Sequence, residues 1–496
     1  MTVELKEVVA GTDYERIFHP QSLAIIGVSA EGYGFGSGML KSLLSIGYEG
    51  KIFPVNPKGG EIAGLKIYKS VEDIPDRIDF GVVAVAAPLV VRALEDCRRK
   101  DAAGAEVLSS GFKELGTPEG KALEEDLKKA AQKDFRIVGP NCFGIYCPRS
   151  GLTILPGAEF PRESGPIAFL AQSGGMTNDF INIGKWLGLR YSKVVSFGNG
   201  VDLRETELLQ YLGDDPETKV ICMYIEGIED GDAFFSALQQ VTARKPVIIY
   251  KGGLSPAGQR AVASHTASMG GSKAIWDAIL HQANVVRVSS TWEMAQASLA
   301  FAMLPERSYQ GITVAGGGGA LGVAACDEAE ENGIELPQLK SEIQEKIMAI
   351  LPKPGSSAMN PVDCANPGVP PFILKDVLLH AAAEERVGLQ ILIQLLYVYK
   401  AFQRRENMQS LREATPYIEL ADMMADVQRQ TGKPAILVLP NNRQNLDDLD
   451  LEEVRREAWR LFIQNNVLCF ENLTEAFRAI GQVSRYYRRR EEILGN

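Results

Sequence analysis

Short apolar runs that end in glycine, each followed by an amphipathic stretch, recur along the whole of this 496-residue chain. A run of four to eight apolar residues bounded by turn residues predicts a buried strand, and an amphipathic stretch predicts a helix. Strands are predicted at residues 23–26, 51–57, 79–88, 105–111 and 136–141. Helical stretches at 39–46, 89–100 and 120–133 alternate with them. Such alternation predicts a parallel sheet with both faces covered.

The pattern restarts twice. Residues 166–171 form an apolar run that meets Gln172-Ser173-Gly174-Gly175, and a helix is predicted from Met176. Runs at 191–197, 220–225 and 246–250 continue this second series. Near Ser308 a third series opens in the same way, with a run at 311–315, four glycines at 316–319 and a helix through Asn332. Later strands are predicted at 389–396 and 434–440. The fold class is therefore α/β, with one Rossmann-like domain followed by two related flavodoxin-like parallel-sheet domains. The tail at 485–492 is expected to be a solvated, charged helix end, and the charged stretch at 401–450 an insertion.

Composition narrows the function classes. A net charge of −11, from 52 basic and 63 acidic residues, argues against a nucleic-acid-binding surface. The charged N-terminus lacks a signal-peptide pattern, and no apolar run is long enough to span a bilayer. Seven scattered cysteines suggest reduced thiols and a cytoplasmic protein. Cys142 and Cys147 have no matching Cys/His pair, so no metal site is expected in the chain.

Open parallel sheets bind ligands at the carboxyl ends of their strands. In the first series those ends carry Gly27, Ser29, Asn56, Pro57, Pro88, Ser109, Ser110, Gly111, Asn141 and Cys142. Glycines there let the backbone approach a phosphate. A dinucleotide is disfavoured, because Ser29 stands at the second glycine of G-x-G-x-x-G and Asn56-Pro57 replaces the ribose-binding acid. Gln172, Ser173, Gly174 and Gly175 precede a helix and offer a phosphate cradle or a plain turn. Residues 316–319 lack a Ser or Lys and read as a plain turn. Glu226 sits at a strand's carboxyl end, where a carboxylate can orient an imidazole. His265, one of four histidines, lies among small residues with two glycines following, which predicts a mobile loop.

Together these segments resemble the NDP-forming acyl-CoA synthetases, relatives of the succinyl-CoA synthetase alpha subunit. The motifs are Gly139-Pro140-Asn141-Cys142-Phe143-Gly144, Ala171-Gln172-Ser173-Gly174-Gly175, Ser196-Phe197-Gly198-Asn199, Tyr224-Ile225-Glu226-Gly227-Ile228, Ser264-His265-Thr266-Ala267 and Asn360-Pro361-Val362-Asp363. The resemblance implies a CoA-binding domain at 1–148, a ligase domain carrying a phosphohistidine loop at 149–306, and a second flavodoxin-like ligase domain at 307–496. It implies that His265 carries a phosphoryl group, that Glu226 supports it, and that Gln172 to Gly175 hold phosphate. The strand-end residues of the first series would hold CoA. The implied reaction interconverts acyl-CoA, ADP and phosphate with free acid, CoA and ATP through an acyl phosphate.

The three series leave no room for an ATP-grasp module. The resemblance thus implies a separate ATP-grasp beta subunit that binds ADP or ATP and Mg2+, in a hetero-tetramer. Two departures from the family pattern stand out: Gly175 where Ala is commoner, and residues 32–38 without the basic residue expected near the CoA phosphates. The alternative reading is a non-catalytic acyl-CoA-binding regulatory homologue.

Overall fold

A computed structural model describes residues 11–265 and 272–495, the side chains of 263–265 excepted. The chain divides into two compact units, Met1–Ser298 and Leu299–Asn496.

The first unit contains two sheets. After α1 (Tyr14–Phe18) come β1 (Ser22–Ile26), α2 (Phe35–Ile46), β2 (Lys51–Val55), the strands β3 (Gly60–Ile62) and β4 (Leu65–Ile67), and β5 (Phe80–Val83). Then follow α3 (Val90–Arg99), β6 (Gly104–Val107), α4 (Pro118–Ala130) and β7 (Arg136–Val138). The main sheet has the order β2-β1-β5-β6-β7, and β3 pairs with β4 in a separate hairpin. Every residue of β1 is buried, as expected of a strand covered on both faces. On α3 the buried residues are Val90, Ala93, Leu94 and Cys97, one helical stripe. Thr117 caps α4 by accepting from the Gly120 N–H at 3.1 Å.

The second sheet is built from β8 (Gly144–Tyr146), β9 (Ser164–Ala171), β10 (Tyr191–Ser196), β11 (Val220–Ile225), β12 (Val247–Lys251) and β13 (Val286–Val288). Its helices are α5 (Gly174–Leu187), α6 (Glu205–Asp214), α7 (Gly231–Thr242), α8 (Pro256–His265), α9 (Lys273–Gln282) and α10 (Thr291–Met303). The order is β13-β12-β11-β9-β10-β8, with β8 antiparallel at one edge.

The second unit holds β14 (Ile312–Gly316), α11 (Gly319–Glu331), α12 (Ser341–Ile350), β15 (Val362–Asp363), α13 (Pro371–Ala381) and β16 (Leu389–Ile393). Then come α14 (Val398–Arg405), α15 (Leu411–Ala414), α16 (Tyr417–Thr431), β17 (Ala435–Val438), α17 (Leu449–Gln464), β18 (Cys469–Phe470) and α18 (Leu473–Leu494). The strands lie in the order β15-β14-β16-β17-β18. Counted along the chain, the parallel strands of all three sheets follow one winding, 2-1-3-4-5. Each sheet therefore has a crevice where the winding reverses, beside its first strand.

Four expectations change. Helix α2 begins at Phe35 rather than near 39, so Gly36 lies within it. A Cβ at Gly36 would come within 2.7 Å of the Gly27 carbonyl oxygen, so close helix–strand packing requires the glycine. The stretch at 401–450 is no appendage, because it supplies α16 and the interior strand β17. The tail at 485–492 belongs to α18, where Tyr486 and Tyr487 are buried and Arg490 lies over the Tyr487 ring. Finally, the chain is helical up to His265 rather than looped. Alanines at 257, 261 and 263 are small, but alanine is also the strongest helix former.

Candidate functional site

In the first unit, the ends of β6 and β7 of the first sheet meet the reversal point of the second, between β9 and β11, around one cavity of about 340 Å³. Leu108, Ser110, Asn141 and Cys142 line it from the first sheet's side, and Gln172, Ser173, Gly174, Gly175 and Glu226 from the second's. Phe35, Phe143, Leu155 and Pro156 supply apolar wall. A mostly apolar hollow with a few convergent polar groups is the usual form of a small-molecule site.

The start of α5 is arranged for an anion. Ser173 caps it, its Oγ accepting from the Met176 N–H at 3.3 Å, and the first-turn N–H groups of a helix favour negative charge. A Cβ on Gly174 would lie 2.7 Å from the Phe143 ring, whereas one on Gly175 would meet only Ser173 Oγ at 3.9 Å.

Gln172 has a different task. Its Oε1 accepts from the backbone N–H groups of Glu226 and Gly227, and its Nε2 donates to the Gly227 carbonyl at 3.0 Å. Both ends of the amide are thus committed to the turn after β11, and Gln172 fixes that turn across the sheet.

Glu226 is buried. Its Oε1 accepts from the Tyr224 hydroxyl at 3.2 Å, while Oε2 has no partner among the described residues. A buried carboxylate oxygen without a donor is costly, and such exceptions need a reason. Burial, followed by the Glu226 charge, pushes the Tyr224 hydroxyl well above its usual range, so it remains a donor. Lys251, which the sequence patterns did not single out, donates to the Glu226 carbonyl oxygen at 2.8 Å. Its only signal in sequence is a lysine closing an otherwise apolar strand.

The expected CoA residues spread along the carboxyl edge of the first sheet. Ser110, Asn141 and Cys142 reach the cavity; Gly27, Ser29, Asn56, Pro57, Pro88, Ser109 and Gly111 are not among its lining. Gly27 has φ +103°, and a Cβ there would fall 2.3 Å from the Ala84 carbonyl oxygen. Ser37 Oγ accepts from the Ser29 N–H at 2.9 Å, holding the turn between β1 and α2. Asn56 Oδ1 accepts from the Lys58 N–H, and Ser109 Oγ donates to the Val85 carbonyl. The Gly111 N–H donates to Glu114 at 2.6 Å, and Pro88 lies in the turn leading to α3. The Cys142 thiol donates to the Val107 carbonyl at 3.3 Å, and burial holds its pKa well above the usual thiol range. It is an inert wall group, not a nucleophile. Residues 32–38 contain no basic residue; the Nζ of Lys41, nearly two turns into α2, donates to the Gly32 carbonyl at 2.9 Å.

His265 is the last residue of α8, and its side chain and residues 266–271 lie outside the described residues. Among the described residues, no cluster of His, Cys, Asp or Glu could hold a metal ion. No described helix is long and apolar enough to cross a membrane.

Residues 21–148 match the CoA binding domain family, and residues 164–301 match the succinyl-CoA ligase like flavodoxin domain. The alpha subunit of ADP-forming acetate–CoA ligase I of Pyrococcus furiosus is 40% identical over 358 residues, covering 70% of this chain and 76% of that one. An ADP-forming acetate–CoA ligase of Methanocaldococcus jannaschii is 36% identical over 73% of this chain, which spans only 50% of that longer protein. Among solved structures, a dinucleotide forming acetyl-coenzyme A synthetase 1 of Ca. Korarchaeum cryptofilum, in complex with phosphate and ADP, is similar at a TM-score of 0.83 and 29% identity. That match covers 98% of this chain and 99% of the other. The chain belongs to the NDP-forming acyl-CoA synthetase family.

Proposed function

We propose that this chain is the alpha subunit of a ligase interconverting acyl-CoA, ADP and phosphate with a carboxylic acid, CoA and ATP. The observation that carries this reading is the shared cavity, which joins the strand ends of a CoA-binding-type sheet to the capped start of α5 and to Glu226. Residues 1–148 would bind CoA, 149–306 would carry the phosphohistidine, and 307–496 would complete the ligase. CoA fits the first sheet's edge because Gly27 and Gly36 let the α2 N-terminus close on β1, bringing small residues and a helix N-terminus, which favours anions, to the phosphates.

The residues then divide the work. Gly27, Ser29, Asn56, Pro57, Pro88, Ser109 and Gly111 hold CoA along the edge, and Asn141 and Cys142 border its reactive end. Gln172, Ser173, Gly174 and Gly175 form the phosphate site at the start of α5, with Ser173 to Gly175 toward the anion and Gln172 bracing the neighbouring turn that carries Glu226. A phosphate oxygen attacks the thioester carbonyl, the C–S bond breaks, and the thiolate of CoA leaves. The resulting acyl phosphate gives its phosphoryl group to an imidazole nitrogen of His265, releasing the carboxylate. Glu226 accepts a hydrogen bond from the other imidazole nitrogen, a charge-assisted contact worth about 1.5–3 kcal/mol. His265 then passes the phosphoryl group to ADP. Positioning and positive potential lower these barriers more than covalent chemistry does.

An ATP-grasp beta subunit supplies the nucleotide and Mg2+ site, in a hetero-tetramer with this chain. All seven cysteines are free, in keeping with a reducing cytoplasm. A non-catalytic acyl-CoA sensor is the weaker reading, because it gives the unpartnered Glu226 oxygen nothing to do. The test is an assay of the chain with its ATP-grasp partner, Mg2+, ATP and CoA across short aliphatic and aryl acids. CoA-dependent ADP release and thioester formation with at least one acid is expected. CoA binding without turnover on any acid would select the sensor instead.

A further inference from the structure

Lys251 closes β12 and is only 4% exposed. Leaving an ammonium buried is costly unless it is compensated. Its compensation here is unusual, because no carboxylate lies within ion-pair distance among the described residues. Nζ instead donates to two backbone carbonyls, those of Glu226 at 2.8 Å and of Gly252. It also sits over the Trp276 ring, 5.0 Å from the centroid. Ile225 pairs with Lys251 in the sheet, so Glu226 is the first residue beyond that pairing on β11. Trp276 belongs to α9, the helix that follows the histidine-bearing stretch, and α8, which leads into that stretch, starts five residues after Lys251.

Resting on the functional reading above, we propose that Lys251 is a positioning residue for the phosphohistidine relay. Its ammonium ties the backbone of Glu226 to the end of β12 and to the indole of α9, fixing the residue that bears the supporting carboxylate relative to the helix that follows His265. An apolar side chain would satisfy the burial of β12 equally well, but could not make this three-way contact. The cation also supplies positive potential beside Glu226, where phosphoryl oxygens would arrive.

The charge of the brace can be read through pH. The titratable group acting on Lys251 is Glu226, just beyond β11, and Trp276 on α9 packs against its ammonium, while Tyr224 and Tyr250 pair with each other at the positions next to Ile225 and Lys251. Burial lowers the Lys251 pKa to about 8, with the Glu226 charge opposing the shift. The ammonium is therefore present below about pH 8 and lost above it.

The experiment uses the complete enzyme with its ATP-grasp partner, labelled ATP and Mg2+, and follows the rate of phosphoenzyme formation against pH. In the wild type the rate should fall as pH rises through about 8. Lys251→Met should label about tenfold or more slowly at neutral pH. Lys251→Arg should label at close to the wild-type rate, and its alkaline fall should move upward because guanidinium keeps its proton. A purely structural lysine would not move that limb. Wild-type labelling by Lys251→Met, or an unchanged alkaline limb in Lys251→Arg, would overturn the proposal. If Lys251→Met does not fold, the limb in Lys251→Arg decides. If the wild type takes up no label at any pH, the functional reading has failed and this proposal falls with it.

Discussion

At Gly174 and Gly175, adjacent glycines of one helix start face different surroundings. A side chain at 174 would strike the Phe143 ring, and one at 175 would enter open space. Gly175→Ala should therefore stabilise the chain by about 0.4–1 kcal/mol by restricting the unfolded state. Gly174→Ala should cost about 1–3 kcal/mol by overpacking against Phe143. Urea unfolding of the two variants checks this, and equal midpoints would contradict the geometry. Alanine where the family commonly has it thus fits this chain without repacking. Gln172 was legible as a strand-end polar residue, but not as a clamp, because its partners lie 54 and 55 residues away. Lys251 was invisible for the same reason: its meaning lies in the neighbouring strand and in α9, not in its own run.

Elements were more legible than their ends. Apolar runs marked the strands because both faces of these parallel sheets are covered. Helix starts were misjudged where glycine serves packing rather than turning, as at Gly36 in α2. In the tail, Arg485 and Arg488 to Arg490 flank the buried pair Tyr486 and Tyr487, so the local charge hides the face that α18 buries. One buried polar residue within a strand has a measurable consequence. Glu106 on β6 is fully buried, with Oε2 accepting from the Ile145 N–H at 2.9 Å and Oε1 without a partner among the described residues. Burial raises its carboxyl to about 8 against an ordinary value of 4.5, with the Ile145 bond opposing. Between those values the unfolded chain is ionised at Glu106 while the folded chain keeps its proton, so folding loses stability as pH rises. The contribution is fully present below about pH 4.5 and gone above about 8. Glu106→Gln should flatten that part of the curve of urea midpoint against pH; an unchanged slope would show that Glu106 ionises normally in the folded chain.

Across the molecule, the repeated opening of strand, glycine turn and helix marked three sheets, and all three share one winding. What sequence could not supply was how the first two are joined. Arg136 on β7 binds Asp202 and Glu207, and Glu207 also accepts from the Tyr14 hydroxyl at 2.7 Å. These contacts help hold the strand ends of both sheets in one unit, around the cavity that contains Glu226. We propose that His265 carries a phosphoryl group with Glu226 supporting it. The most direct test incubates the chain and its ATP-grasp partner with labelled ATP and Mg2+, then measures protein-bound label. An acid-labile, base-stable phosphoenzyme is expected in the wild type, reduced about tenfold or more in Glu226→Gln through loss of the charge-assisted bond and absent in His265→Ala. Label that persists in His265→Ala would contradict the account.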